Sequence, residues 1–263
     1  MIDSALFITA LLPVLVLILY INRKDKMSPE PVGQLIRAFL LGLLSAPLSF
    51  VISVPSEMIG LYSEVVATVG DALRISFFGA AIPEEAAKLF ILWIVVRNNK
   101  YFDEKMDGIV YAVCVSMGFA ALENVLYLVS NVEDYMSVGI SRAFTAIPGH
   151  FCFGIMMGYY YSLAAFEKRK VLINKMLTFA VPVLVHGIYD SILFAASALL
   201  ESLSEEDEMI AGVVSLVFVA GFIYFCVKMW KLGSRKIKEH IERDKKDIEK
   251  AKQELNDIFN NRR

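Results

Sequence analysis

LRISFFGAAIPEEAAKLFILWIVV, residues 73–96, is an apolar run that carries Glu84, Glu85 and Lys88 near its middle. About 20 mostly apolar residues are what a helix needs to cross the hydrocarbon core of a bilayer. Six more such runs flank it, at roughly 3–21, 35–54, 107–130, 141–165, 172–199 and 209–230. The chain has 263 residues, is 57% hydrophobic and only 21% charged. A soluble domain of this size rarely runs so apolar. The runs predict an all-α fold: a polytopic transmembrane helix bundle of about seven spans, occupying residues 1–230.

The charges between the runs alternate in sign. Arg23, Lys24 and Lys26 follow the first run; Glu57, Glu64 and Asp71 follow the second. Arg97, Lys100 and Lys105 come after the third, Glu133 and Asp134 after the fourth. Lys168, Arg169, Lys170 and Lys175 come next, then the acidic stretch 201–208, then the basic tail from Lys228. Positive charge favours the cytoplasmic side. The N-terminus is therefore expected outside and the C-terminus inside. Met1-Ile2-Asp3 lacks the basic start of a signal peptide, so the first run is expected to be retained. A re-entrant piece could occupy 55–72.

Residues 231–263 read as a separate, charged cytoplasmic helical tail with 11 Lys or Arg against 7 Asp or Glu. Ile241, Ile248 and Leu255 are spaced by seven, and Ile237, Ala251 and Ile258 fill most matching positions. That narrow seam suits a helix lying near anionic lipid or associating with a second copy. Net charge is −2, so no nucleic-acid partner is expected. Cys114, Cys152 and Cys226 all sit in apolar runs and have no CxxC spacing. They offer neither a disulfide framework nor a thiolate zinc site.

Ionisable groups at mid-bilayer cost roughly 2.5–3.5 kcal/mol each on insertion scales. The chain keeps Glu84, Glu85 and Lys88 in the third run, Glu123 in the fourth, His150 in the fifth, and His186 with Asp190 in the sixth. They must face one another, water or a metal. Glu84 and Lys88 are i,i+4, as are His186 and Asp190, so each pair shares a helix face. At about 1.5 Å per residue, Glu84, Glu123, His150 and His186 lie roughly 20, 10, 14 and 21 Å from the outer ends of their runs. This puts them between the midplane and the outer third. Each has a plainer reading: Glu84–Lys88 and His186–Asp190 as structural pairs, His150 as an interhelical hydrogen bond, Glu123 with Asn124 as a polar network. Structural glue alone rarely needs two imidazoles and three Glu at one depth. Arg142 and Arg74 lie near run ends, where they can snorkel.

A carboxylate beside an imidazole, shielded from bulk water, can activate a water molecule. Two His and a carboxylate can also hold a divalent metal with an open position. Both routes give a hydrolase. There is no HExxH, no GxSG, no GxGD and no phosphate-binding Gly-rich loop.

Pro83-Glu84-Glu85-Ala-Ala-Lys88 resembles the EExxK motif of the PrsW intramembrane proteases. Phe119-Ala-Ala-Leu-Glu123-Asn124-Val-Leu-Tyr127 resembles their FxxxEN motif, Arg142 to His150 the third motif, and His186-Gly-Ile-Tyr-Asp190 the HxxxD motif. Ser28-Pro29-Glu30-Pro31 with Ala38, Phe39 and Gly42 is similar to the family's start. The prenyl-protein proteases of the wider clan carry EExxxR and FxxxH instead. The resemblance covers the first six runs, in order, and stops near Trp230. It implies a peptidase of the bacterial cytoplasmic membrane that cuts single-span membrane proteins, such as an anti-sigma factor, at a first site on the extracytoplasmic side. It implies Glu84 as general base and His186 as a water-orienting or oxyanion group, with Glu85, Glu123, His150 and Asp190 completing the site. Lys88, Asn124 and Arg142 would support it. A divalent metal such as zinc is expected to bridge Glu123, His150 and His186. Two other readings use the same buried set: a proton- or cation-coupled transporter or receptor, and a scaffold with a degenerate site.

Overall fold

The computed structural model describes residues 4–203 and 207–260. The readings on Met1-Ile2-Asp3 and on Glu205 and Glu206 lie outside the described residues. The fold is 85% helical and, among the described residues, has no strand.

The described residues form ten α-helices in order. They are α1 (Ser4–Asn22), α2 (Val32–Leu43), α3 (Ser45–Met58), α4 (Val69–Arg74), α5 (Ile82–Val96), α6 (Lys105–Ser130), α7 (Tyr135–Phe144), α8 (Ala146–Phe166), α9 (Val171–Glu201) and α10 (Glu208–Asn260). A π-helical stretch, Ile75–Ala81, joins α4 to α5.

Among the described residues, five helical segments are long and apolar enough to cross a membrane: Ser4–Asn22, Val32–Met58, Lys105–Ser130, Val171–Glu201 and Glu208–Ile258. Seven runs are expected from the sequence; the other two, the third and the fifth, are each divided between shorter helices. The third run is divided, because the backbone widens into the π stretch just before Pro83. Pro83 has no N–H to return to the carbonyl four residues back, and the Ile82 N–H bonds Phe77 O, five residues back. The fifth run is divided at Thr145. Pro148 likewise cannot donate to Phe144, so α7 does not run on into α8. Arg142 therefore belongs to α7 and His150 to α8. Segment α8 also carries His150, three glycines and Tyr159–Tyr161, which lower its hydropathy.

Helices α6 and α8 form the centre. Residues Lys105–Ala121 of α6 and Gly149–Tyr159 of α8 are buried throughout. Small residues allow this: a Cβ on Gly158 would collide with the Gly108 carbonyl, so the two backbones touch as in other tightly packed membrane helices. The outer faces of α1, α3 and α10 leave Ile8, Leu12, Phe50, Val51, Leu216 and Val217 exposed. Such a continuous apolar rim suits lipid rather than water.

The tail is not detached from the last span. It continues α10 without a break, and its first half docks on the bundle. Tyr159 Oη donates to Glu239 at 2.6 Å, and Asp244 accepts from the Lys105 and Met106 amides at 3.0 and 2.8 Å. Ile237 is buried, whereas Ile248, Leu255 and Ile258 remain exposed.

Candidate active site

The π stretch and Pro83 deliver Glu84 and Glu85 to the first turn of α5, which faces α6, α8 and α9. Lys88 sits one turn on and is fully buried. Its Nζ donates to Glu85 Oε1 at 2.8 Å and to Glu84 Oε2 at 3.2 Å, and lies 3.1 Å from His150 Nδ1. It also stands 4.0 Å over the Phe119 ring. One ammonium thus balances two carboxylates and orients an imidazole. Without it those groups would be uncompensated charges in an apolar bundle.

His150 and His186 form the other half. His150 Nε2 lies 2.9 Å from Glu123 Oε2, and Arg142 Nη2 donates to that same oxygen at 2.7 Å. Arg142 Nε reaches Asn124 Oδ1 at 2.7 Å, and Asn124 Nδ2 donates to the Ala10 carbonyl at 2.9 Å. The guanidinium fork therefore fixes Glu123 and Asn124 together, a geometry that lysine cannot copy. His186 Nδ1 lies 3.0 Å from Glu85 Oε1, and its Nε2 lies 3.2 Å from Asp190 Oδ2 and 3.9 Å from Glu84 Oε2. Phe153 stacks on the His186 ring at 4.5 Å. The two imidazoles meet edge to face, 5.5 Å apart.

All nine residues singled out in the sequence thus join one network. Access is unequal. Glu85 is wholly buried, whereas the side chains of Glu84, Asp190 and Glu123 are 14%, 17% and 22% exposed. Glu84 and Glu123 line a cavity of about 210 Å³ together with Ser49 and Ser53 of α3, Phe119 and Tyr127. Tyr127 closes the Phe119–Tyr127 motif quoted from the sequence, whereas sequence reasoning missed Ser49, Ser53 and Phe153. Ser45, Ser49 and Ser53 are spaced by four and share a buried face of α3, a signal that was available. A larger apolar groove of about 740 Å³, lined by Phe90, Trp93 and Phe179, holds neither acid nor imidazole.

One donor atom each from Glu84, Glu85 and His150 falls within 4.8 Å of the others. Glu85 Oε2 is buried with no hydrogen-bond partner. Two carboxylates and an imidazole are an ordinary ligand set for a catalytic divalent metal, so the residues fit one. This set shares only His150 with the expected Glu123, His150 and His186. Lys88 Nζ stands against these same side chains, so an ion bound here would compete with the ammonium.

Residues 30–225 match the model of the PrsW family intramembrane metalloprotease. Protease PrsW of Clostridioides difficile is 33% identical over 244 residues, 92% of this chain and 93% of that protein. Protease PrsW of Bacillus subtilis is 37% identical over 196 residues, 73% and 84% of the two chains. Protease PrsW of Oceanobacillus iheyensis is 39% identical over 183 residues, 69% and 79%. No solved structure matches. A multi-pass membrane location and peptide-bond hydrolysis follow from these relatives and from the apolar helices. The chain belongs to the PrsW family of intramembrane metalloproteases.

Proposed function

We propose that this protein cleaves single-span membrane proteins near the extracytoplasmic side, such as the first cut of an anti-sigma factor, with Glu84 as the base. The observation that carries the reading is the cavity against α3. Glu84 is the carboxylate of α5 that reaches it, while its neighbour Glu85 is sealed. A general base must come within hydrogen-bond reach of the water it deprotonates, and an open side chain meets that need.

Glu84 Oε2 takes the proton from the attacking water as its oxygen bonds to the carbonyl carbon, and gives it to the leaving amine as the peptide C–N bond breaks. Lys88 holds that carboxylate in place. His186, anchored at Nδ1 by Glu85, orients the water and turns its Nε2 proton from Asp190, 3.2 Å away, to the developing oxyanion. Glu85 and Asp190 are positioning residues, because they act through His186. Glu123, held by Arg142, does the same for His150. The apolar rings of Phe119 and Phe153 keep bulk water out. We further propose a divalent metal at His150, held with Glu84 and Glu85 or, in the arrangement expected from the sequence, with Glu123 and His186. Such an ion supplies Lewis-acid polarisation of a carbonyl oxygen.

The loop charges support seven crossings, with α4–α5 and α7–α8 completing the five long apolar segments, and with the basic end cytoplasmic. The exposed seam residues Leu255 and Ile258 are where self-association through the tail is proposed.

Co-expression with a candidate single-span substrate tests the reading. Cleavage is expected to disappear in Glu84→Gln and in His186→Ala; normal cutting by both variants would overturn it. Metal analysis of Glu85→Gln and Glu123→Gln compares the two ligand sets: the larger loss of bound ion is expected in the variant whose carboxylate is itself a ligand.

A further inference from the structure

A second group of acids lies at the opposite end of α6. Asp107 precedes Glu123 by sixteen residues, roughly 24 Å along a helix rising about 1.5 Å per residue. Asp25, from the α1–α2 loop, and Asp107, in the first turn of α6, are only 3% and 1% exposed. Glu104, just before α6, is half-buried. One oxygen of each is buried without a hydrogen-bond partner: Asp25 Oδ2, Glu104 Oε1 and Asp107 Oδ1. One oxygen from each of the three side chains also falls within 4.8 Å of the others.

Asp25 and Glu104 are hydrogen-bonded to each other, and Lys24 and Lys26 line the adjoining cavity without pairing to them. Among the described residues, no ion pair reaches Asp25, Glu104 or Asp107. Lys105 of α6 turns instead to Asp244 and Asp247 of α10. Lys24 lies over the Tyr20 ring. Glu30 of the α1–α2 loop, which accepts from Tyr111 Oη, and Asp103 add further negative charge. The other oxygen of Asp107 caps its own helix by accepting from the Asp103 and Glu104 amides at 2.9 and 2.7 Å. Burial, then neighbouring carboxylates, push Glu104 up to about 8; burial pushes Asp25 up to about 6.

We propose that Asp25, Glu104 and Asp107 form an all-oxygen site for a hard divalent cation, Mg²⁺ or Ca²⁺, that ties the α1–α2 loop to the start of α6. Two ligands of one ion cannot stand further apart than twice the metal–oxygen distance. At about 2.3–2.6 Å for Ca²⁺ that limit is roughly 4.6–5.2 Å, and at about 2.0–2.1 Å for Mg²⁺ it is roughly 4.2 Å. The three oxygens all lie within 4.8 Å of one another, inside the range for Ca²⁺ and open to Mg²⁺ with a small inward movement. Nitrogen and sulfur donors are missing from the set, which disfavours zinc. A cavity of about 360 Å³ lined by Lys24, Asp25 and Glu104 opens onto the group and leaves an entry path.

The test uses the full-length protein in detergent, stripped with chelator and titrated with Mg²⁺, Ca²⁺ or Zn²⁺ by calorimetry and thermal unfolding. At pH 8 one equivalent of Mg²⁺ or Ca²⁺ is expected to bind, raising Tm by about 5 °C or more at a hundredfold excess over Kd. Which ion binds more tightly identifies the natural one. Binding should weaken at pH 6, where protons compete for the same oxygens. Asp25→Asn combined with Asp107→Asn should abolish it and raise the Tm of the stripped protein, because like charges are removed. Glu104→Gln, at the most accessible position, should weaken it roughly tenfold or more, and serves if the double variant does not fold. Glu84→Gln should leave it intact. No binding of either ion to the unmutated protein at pH 8 would mean that the acids share protons only, and would overturn the proposal. So would binding that survives the double variant or is lost in Glu84→Gln.

Discussion

The two acidic groups of this protein solve opposite problems. Glu84, Glu85, Glu123 and Asp190 lie deep among apolar helices, yet each touches a cation or an imidazole. Asp25, Glu104 and Asp107 lie at the end richest in lysine and arginine, yet each keeps a buried oxygen without a partner. Depth alone therefore does not decide whether a charge is satisfied. Inside the bundle an unpaired carboxylate would cost several kcal/mol, so the fold supplies Lys88 and Arg142 at fixed positions. At the basic end an ion from solution can do that work, and the fold has spent its own lysine on Asp244 and Asp247.

Removing the internal cation should have the largest effect. Lys88→Met leaves Glu84, Glu85 and His150 without their common partner and is expected to destabilise the protein by about 3–5 kcal/mol. Adding Glu85→Gln should restore part of that loss, because it removes one of the orphaned charges. Denaturant unfolding in detergent of the single and double variants measures both. Should the Lys88 variant be as stable as the parent, the bundle acids are solvated from outside and the contrast collapses.

A smaller loss is expected at the other clamp. Arg142→Lys keeps the charge but cannot hold Glu123 and Asn124 at once. Losing one hydrogen bond to a charged group is worth about 1.5–3 kcal/mol. The cleavage rate should fall roughly tenfold or more, with little change in substrate KM.

The basic end should respond weakly and with the opposite sign. Asp25 and Glu104 hold their protons more tightly in the folded chain than in the unfolded one. Their contribution to stability is then present at low pH and is lost as pH rises from the ordinary carboxylate range near about 4 towards about 8. The stripped protein should lose Tm across that window, and a bound cation should cancel the loss. Asp25→Asn should raise the Tm of the stripped protein at pH 8 by about 2–4 °C. A decrease would show that the bonds Asp25 accepts from the Glu30 and Ser28 amides outweigh its burial and its repulsion by Asp244.

Much of the internal site was legible in the sequence because cost and spacing act together. An acid within an apolar run stands out, and i,i+4 spacing tells which acids share a face, as for Glu84 with Lys88 and His186 with Asp190. The breaks in the third and fifth runs were hidden, since hydropathy averages over a window and sees neither the π stretch nor Thr145. Pro83 and Pro148 marked both places. The continuity of α10 was missed because the composition changes sharply at Lys231 while the backbone does not. The group at Asp25, Glu104 and Asp107 was missed because the loops were read for lysine and arginine. Its three members come together only in the fold. Transport, the rival reading of the buried set, gives way to peptide hydrolysis on the family relationship.

If the buried network is a working catalytic site, Glu84 is the group whose loss should stop it. Reconstituted protein and its Glu84→Gln variant, incubated with the same single-span membrane substrate and assayed by product mass, test this most directly. The account predicts a defined cut near the extracytoplasmic end by the parent, and a rate at least about a hundredfold lower in a folded variant. Equal cleavage by the two would contradict it.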